Sequence, residues 1–159
     1  MRSTWPAVRR NSSAGVTNVL IQLAASMRQH GRGGALLVVP ADNDGWRDSI
    51  VSPVLYAIDP PYSELSRLVT MKNADADDVK RAVDALAGLT AVDGATIIND
   101  RYDLLAFGAK IARRRGSPPV ETINVTEPVE GSAPTTATPA QLGGTRHLSA
   151  AQFVHDQNR

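Results

Sequence analysis

Residues 92–107, with the sequence VDGATIINDRYDLLAF, predict a β-hairpin around which the rest of the chain can be arranged. The first half is mostly aliphatic, residues 99–101 favour a turn, and residues 102–107 form the returning strand. A charge at the start of a buried aliphatic strand is costly unless it has a partner. Asp93 is therefore expected either to cap a neighbouring turn or to serve a functional site, and the sequence leaves both open.

The chain upstream of the hairpin begins with a predicted helix and a predicted strand. Apolar residues recur at helical spacing over residues 15–30, so we expect an amphipathic helix that ends at Gly31. Residues 35–39 are apolar on both faces, which is typical of a central strand in a covered sheet. The glycine-rich turn at 31–34 follows a helix and precedes a strand. This order is the reverse of a phosphate-binding Walker loop and favours a structural role.

The segment between residues 49 and 88 predicts a weak strand, a loop and a second helix. Pro53 interrupts residues 49–58, which indicates an edge strand or an irregular segment, and residues 59–62 predict a loop. Asp75 can cap a helix that Gly88 ends. The acidic residues around Asp75 can be drawn as a metal site, but they complement the helix dipole more simply.

Length and composition indicate one globular domain. The 159 residues are enough to bury a sizeable core. We expect a polar tail at residues 1–14 and a single domain at residues 15–159. A net charge of +1 gives no support for a nucleic-acid or membrane partner, and the absence of cysteine excludes disulfides and thiolate metal sites. No apolar run approaches the roughly 20 residues of a membrane span, and no signal peptide is visible, so we expect a cytoplasmic protein.

Residues 116–142 predict a long loop, since they are rich in proline, serine and threonine. Only residues 121–127 alternate in the manner of a strand. Loops of this length in compact domains tend to be functional lids or disordered segments. Because this one directly precedes Gly143, we expect it to form a flexible flap over a site.

Residues 143–151, with the sequence GGTRHLSAA, predict a helix start that suits an anion. Two glycines let the backbone approach a ligand, and the first-turn N–H groups and the helix dipole favour negative charge. Arg146 adds donors that match phosphate, and His147 adds a donor or a metal ligand. Combined with the carboxylate of Asp93, these turns are what a nucleotide polyphosphate site needs.

The two motifs together resemble the diadenylate cyclase (DAC) domain of bacteria. Asp93-Gly94-Ala95 opens a hairpin, and Gly144-Thr145-Arg146-His147 opens a helix, over a similarity that spans residues 75–157. The resemblance implies a twisted mixed β-sheet flanked by helices, whose last strands we expect to be missing because the chain is truncated after residue 159. DAC domains join two ATP molecules into cyclic di-AMP with a divalent metal, Mg²⁺ or Mn²⁺. The reaction takes place across the face between two DAC domains, so the resemblance also implies a face-to-face homodimer.

The resemblance assigns a role to each motif residue. Asp93 corresponds to the activating carboxylate at the ribose hydroxyl and the metal. Gly94 and Ala95 correspond to the lining of sugar and base, and Gly108 falls where the family brings backbone near adenine. The phosphates are assigned to the second motif, namely Gly144, Thr145, Arg146 and His147, and His147 is also a candidate metal ligand.

One departure from the family favours one of the functional hypotheses. The bacterial cyclases carry Arg-His-Arg, whereas the third position here is Leu148, which cannot donate to phosphate. Losing one charge-assisted contact costs on the order of 1.5–3 kcal/mol of binding. We therefore favour a DAC-like sensor that binds ATP or a cyclic dinucleotide in bacterial signalling. The alternatives are an active diadenylate cyclase, a nucleotidyltransferase in which Asp93 is catalytic, and an α/β domain whose glycine turns are only structural.

Overall fold

The computed structural model describes residues 18–127, 129 and 131–157. These residues form an α/β fold in which helices flank a mixed four-stranded sheet, and the predicted fold class is confirmed. The tail predicted at 1–14 and the start of the predicted first helix, residues 15–17, lie outside the described residues.

Six strands and five α-helices make up the described chain, together with a 3₁₀ turn at Gly45–Ser49. The strands are β1 Ala35–Val39, β2 Tyr56–Tyr62, β3 Ala95–Asn99, β4 Leu104–Ala109, β5 Ile123–Val125 and β6 Thr135–Ala137. The helices are α1 Val19–His30, α2 Glu64–Thr70, α3 Ala76–Leu89, α4 Pro139–Leu142 and α5 Thr145–Gln157.

The main sheet has the strand order β1-β3-β4-β2, and its centre is the predicted hairpin. Strands β3 and β4 pair antiparallel, with Ala95 opposite Ala109, while β1 runs parallel to β3 with Ala35 opposite Ala95. The prediction that residues 35–39 form a central strand was wrong, because β1 lies at the edge of the sheet. The side chains of β1 are apolar on both faces because helices cover both faces of the sheet. A neighbouring strand on each side is not needed for this pattern.

The core consists of two apolar clusters, one on each face of the sheet. Ile97 belongs to one cluster and Ile98 to the other, as expected from the two-residue repeat of a strand. On the Ile98 side the sheet packs against α1, α2 and α3, and on the Ile97 side it packs against α5 and the 3₁₀ turn. Phe153 anchors α5 and is only 2% exposed, a burial that contributes about 1.5–3 kcal/mol.

The second edge strand, β2, includes residues that the sequence assigned to a loop. Pro60 and Pro61 lie within it, and its pairing with β4 shifts register between Ala57 and Tyr62. Proline cannot donate to the ladder and is tolerated on an edge strand, so the loop prediction for 59–62 was wrong in type. The segment that follows forms α2, for which the sequence analysis made no prediction.

The segment 116–142 contains more secondary structure than the predicted single strand. Strand β5 falls within the predicted 121–127, and it pairs with β6 in a separate two-stranded sheet. Thr138 then begins the short helix α4 through a capping box, in which its N–H donates to Oε1 of Gln141 at 2.7 Å. The interpretation of this segment as a long loop was therefore wrong at β6 and α4, whereas residues 117–122 form neither helix nor strand, as expected.

Candidate functional site

The open end of the β3–β4 hairpin is held together by a close approach of two glycines. A Cβ atom added to Gly94 would lie 2.5 Å from the carbonyl carbon of Gly108, and one added to Gly108 would lie 2.8 Å from the ring of Tyr56, so neither position has room for a side chain. Both residues also have positive φ angles, 118° and 61°, which glycine adopts at no steric cost. This tight crossing places Asp93, the residue before Gly94, at the surface where the hairpin opens.

Asp93 is exposed and ion-paired with a residue that the sequence reasoning missed. Its side chain is 82% exposed, and its Oδ2 accepts a hydrogen bond from Nζ of Lys110 at 2.5 Å. The hydrogen bond and charge of Lys110 hold the pKa of Asp93 below its ordinary value, and the Arg146 guanidinium contributes in the same direction. The sequence analysis expected this charge to have a partner, and the structure supplies Lys110.

Arg146 projects from the first turn of α5 toward the glycine-rich turn that precedes β1. Its Nη1 donates to the carbonyl oxygen of Arg32 at 3.4 Å. A Cβ atom on Gly33 would lie 2.9 Å from the same nitrogen, so the absent side chain makes room for the guanidinium. The sequence favoured a purely structural turn at 31–34, but the turn also contacts a predicted phosphate-binding residue.

These elements enclose a surface cleft of about 270 Å³ between the hairpin, the start of β1 and the first turns of α5. Five predicted site residues line it together, namely Asp93, Gly94, Ala95, Thr145 and Arg146. The sequence reasoning had not singled out the other lining residues, which are Ala35, Ala109, Lys110, Ile111 and Ser149. The spatial proximity of Asp93 and Arg146, on which the predicted site depends, is therefore present in the structure.

The structure places the remaining predicted residues elsewhere. Gly108 lies behind Gly94 and does not line the cleft. Gly144 lines a separate cavity of about 410 Å³, together with Leu148. His147 lines a third cavity, of about 640 Å³, in which His155 also takes part. His147 and Arg146 are adjacent in α5 but line different cavities, whereas Thr145 and Arg146, also adjacent, share the 270 Å³ cleft.

The segment 116–142 does not cover the cleft. Its described residues line the two other cavities, including Val120 in both of them and Leu142 in the larger one, whereas none of them lines the 270 Å³ cleft. The expected flap over the site is therefore not what the structure shows. The cleft is instead bounded by strands and a helix.

A buried carboxylate at the far end of α5 fixes the helix that carries Arg146. Asp156 is fully buried, and its carboxylate accepts hydrogen bonds from the N–H of Arg114 at 2.8 Å, from the hydroxyl of Ser117, and from Nε2 of Gln152 at 2.8 Å. Burial raises the pKa of Asp156, but these hydrogen bonds outweigh it and the net effect is a lowered pKa. Gln152 also accepts from the N–H of Val120 at 2.9 Å, so α5 is joined to residues 114–120 at several points.

The charged groups of the cleft suit an anion. Lys110 and Arg146 bring two positive charges against the single negative charge of Asp93, and the start of α5, whose residues Thr145 and Arg146 line the cleft, adds the positive end of the helix dipole. Asp93 can also accept a hydrogen bond from a hydroxyl group. A ligand with an anionic group and a nearby hydroxyl matches this arrangement.

A divalent metal does not match the same residues. Asp93 is the one acidic residue that lines the cleft, and His147 lies in a different cavity. Among the residues that the structure describes, no three histidine, aspartate or glutamate side chains come together in a group that could hold an ion. Asp93 and His147, the two residues expected to hold a metal, therefore line different cavities of this chain.

Comparison of the chain with protein-family models, with curated proteins and with solved structures found no significant match. The resemblance to DAC domains thus stays a prediction that rests on the two motifs. Within the described part of the chain, no helix is both long enough and apolar enough to cross a membrane.

Proposed function

We propose that this chain binds an adenine nucleotide, ATP or a cyclic dinucleotide, in the 270 Å³ cleft and acts as a cytoplasmic nucleotide sensor in bacterial signalling. The observation that carries the proposal is the position of Asp93 and Arg146, which come from distant parts of the sequence and line one cleft. Asp93 accepts from a ribose hydroxyl, and Arg146 and the first turn of α5 bind the phosphates.

The size of the cleft limits which part of the nucleotide it encloses. Ligand pockets commonly have volumes of about 300–1,000 Å³, and this cleft lies just below that range. It therefore takes the ribose and phosphates, with the base at its rim near the backbone of Gly94 and Ala95. The base is then recognised by contacts with the backbone of Gly94 and Ala95, because the small side chains of these two residues leave the backbone accessible.

Sensing is favoured over synthesis by the charges around the cleft. In-line attack by a ribose oxygen needs a carboxylate, a metal and positive charge on the leaving pyrophosphate. The carboxylate is present. Leu148, which stands where the cyclases carry an arginine, has no charge to offer a pyrophosphate, and it lies with Gly144 in another cavity. The alternative is an active diadenylate cyclase, and the observation that favours it is that Asp93 is ionised and accessible.

Calorimetric titration of the purified protein with ATP and with cyclic di-AMP tests the proposal. Arg146→Ala is expected to weaken binding by about tenfold or more, because a charge-assisted phosphate contact is lost. The matched control is Arg101→Ala, which removes an exposed arginine whose partner is Asp42 and which lies at the opposite end of the hairpin. Equal affinities for the two variants would refute a phosphate role for Arg146.

Incubation with ATP and Mn²⁺ or Mg²⁺, followed by a search for cyclic di-AMP, separates the sensor from the cyclase. The sensor forms no product. Product that disappears in Asp93→Asn would establish the cyclase instead. Sedimentation with and without nucleotide tests the face-to-face homodimer, which the DAC resemblance alone supports.

A further inference from the structure

The carboxylate of Asp93, which the DAC resemblance assigns to a divalent metal, is ion-paired with Lys110. Nζ of Lys110 donates to Oδ2 of Asp93 at 2.5 Å, within reach of a charge-assisted hydrogen bond. A divalent cation bound to this carboxylate would have to share it with, or displace, an ammonium group. Repulsion between like charges makes that arrangement unfavourable.

The rest of the lining adds no second carboxylate for a metal. Protein sites for Mg²⁺ use one or two carboxylates together with water and substrate phosphates. The cleft offers a single carboxylate, already paired, and its other polar lining side chains are Thr145, Arg146 and Ser149. The cations Lys110 and Arg146 leave the lining side chains with a net charge of about +1 before any ligand enters. That charge favours an anion directly.

We infer that Lys110 acts as a counter-cation, meaning that its ammonium group neutralises phosphate charge in place of a metal ion. This cleft then binds the phosphates of its nucleotide without a divalent metal. The inference rests on the proposed nucleotide site and assigns it a ligand form: the free polyphosphate anion, not the metal complex. Lys110 is half exposed, with 53% of its side chain accessible, so its ammonium can move from Asp93 to a phosphate oxygen without leaving the cleft.

The same contact gives Asp93 a role in positioning. With no ligand bound, the carboxylate holds the ammonium at the mouth of the hairpin. With a ligand bound, Asp93 and the phosphate compete for Lys110, and the carboxylate also repels the phosphate. Removing the carboxylate charge therefore strengthens binding of a bare polyphosphate, whereas it abolishes binding that depends on a metal held by Asp93.

Pyrophosphate is the probe that separates these cases, because it has neither ribose nor base. Calorimetry is run in EDTA and again in excess Mg²⁺, on the wild type and on the variants Lys110→Met and Asp93→Asn. The control is Lys80→Met, which removes another lysine from an ion pair with an aspartate, at 2.6 Å from Asp84 on α3. Circular dichroism confirms that each variant is folded.

The expected result is that the wild type binds pyrophosphate in EDTA at least as tightly as in Mg²⁺. Lys110→Met weakens this binding by about tenfold, Asp93→Asn leaves it equal or severalfold tighter, and Lys80→Met leaves it unchanged. Binding that requires Mg²⁺ and is lost in Asp93→Asn overturns the inference, as does a Lys110→Met variant that matches Lys80→Met.

Failure of the proposed function has a different signature. If pyrophosphate binds in EDTA through Lys110 but ATP binds no more tightly than inorganic triphosphate, the counter-cation role stands and the adenine-nucleotide proposal falls. If ATP binds only with Mg²⁺, the nucleotide site stands and the counter-cation role falls. If none of these ligands binds in either condition, both are refuted.

Discussion

Replacing Asp156 by asparagine tests whether the buried carboxylate fixes α5. In the wild type one oxygen accepts from the N–H of Arg114, and the other accepts from Ser117 and Gln152. Asparagine has the same shape but one acceptor oxygen, so in either orientation its NH₂ group faces a buried donor. One buried donor without a partner costs about 1–3 kcal/mol, and we expect the free energy of unfolding to fall by about that amount.

Urea denaturation followed by circular dichroism measures this change. For a chain of this length, 1 kcal/mol corresponds to about 2–4 °C in Tm, so thermal unfolding provides a second reading. The control is Asp44→Asn, which alters an aspartate that is 82% exposed and paired with Arg47 at 3.4 Å, and which is expected to stay within about 0.5 kcal/mol of the wild type. If Asp156→Asn is as mild as this control, the hydrogen bonds seen at Asp156 do not hold α5 in place.

Two further predictions concern stability. Because hydrogen bonding keeps the pKa of Asp156 lowered in the folded state, its contribution is fully present above the ordinary aspartate pKa of about 3.9 and is lost as pH falls through the folded value. Stability measured from pH 6 down to pH 2.5 should therefore fall less steeply in Asp156→Asn than in the wild type, and parallel curves would contradict this assignment. The hydroxyl of Thr96 is fully buried in β3 and has no hydrogen-bond partner among the described residues, so Thr96→Val should raise the free energy of unfolding by about 1 kcal/mol. A decrease in the urea midpoint of Thr96→Val would show that the hydroxyl has a partner, such as a buried water.

The parts of the fold that could be predicted are those with a strong local pattern. The hairpin followed from a turn sequence between two apolar runs, and α3 followed from the capping aspartate Asp75, whose side chain accepts from the N–H of Asp77 at 2.7 Å. Gly31 ends α1 with φ 64°, as a glycine after a helix predicts. In each case the signal lies within a few residues of the feature that it determines.

The order of strands in the sheet could not be predicted in the same way. The apolar residues of β1 report that both faces are covered, and this holds equally for a central strand and for an edge strand beneath two layers of helices. Strand β6 is short and is built from Thr135, Thr136 and Ala137, with no apolar alternation to reveal it. Its partner β5 lies about ten residues earlier, and the pairing is visible only in three dimensions.

Lys110 was missed because its position depends on irregular pairing. Between β3 and β4 the partner of Ile98 is Leu104, that of Ile97 is Ala106, and that of Ala95 is Ala109, so the register shifts twice along the hairpin. A regular ladder continued from the turn would set a different residue beside Asp93. The separation of Arg146 from His147 could not be derived from the helical repeat alone either, since Thr145 and Arg146 are also adjacent in α5 and line the same cleft.

The preference of the cleft for an anion comes from its side chains and from the start of α5, not from the end of the sheet at which the cleft lies. In open α/β sheets ligands usually bind at the carboxyl ends of parallel strands. This cleft contains Ala35 and Ala95, the first residues of the parallel strands β1 and β3, and therefore lies at their amino ends. The sheet itself does not select an anion there. The selection falls to Lys110, Arg146 and the first turn of α5, and α5 is held at its other end by Asp156. A charge change at Lys110 should therefore alter ligand binding without altering the fold, whereas the change at Asp156 should alter the fold first.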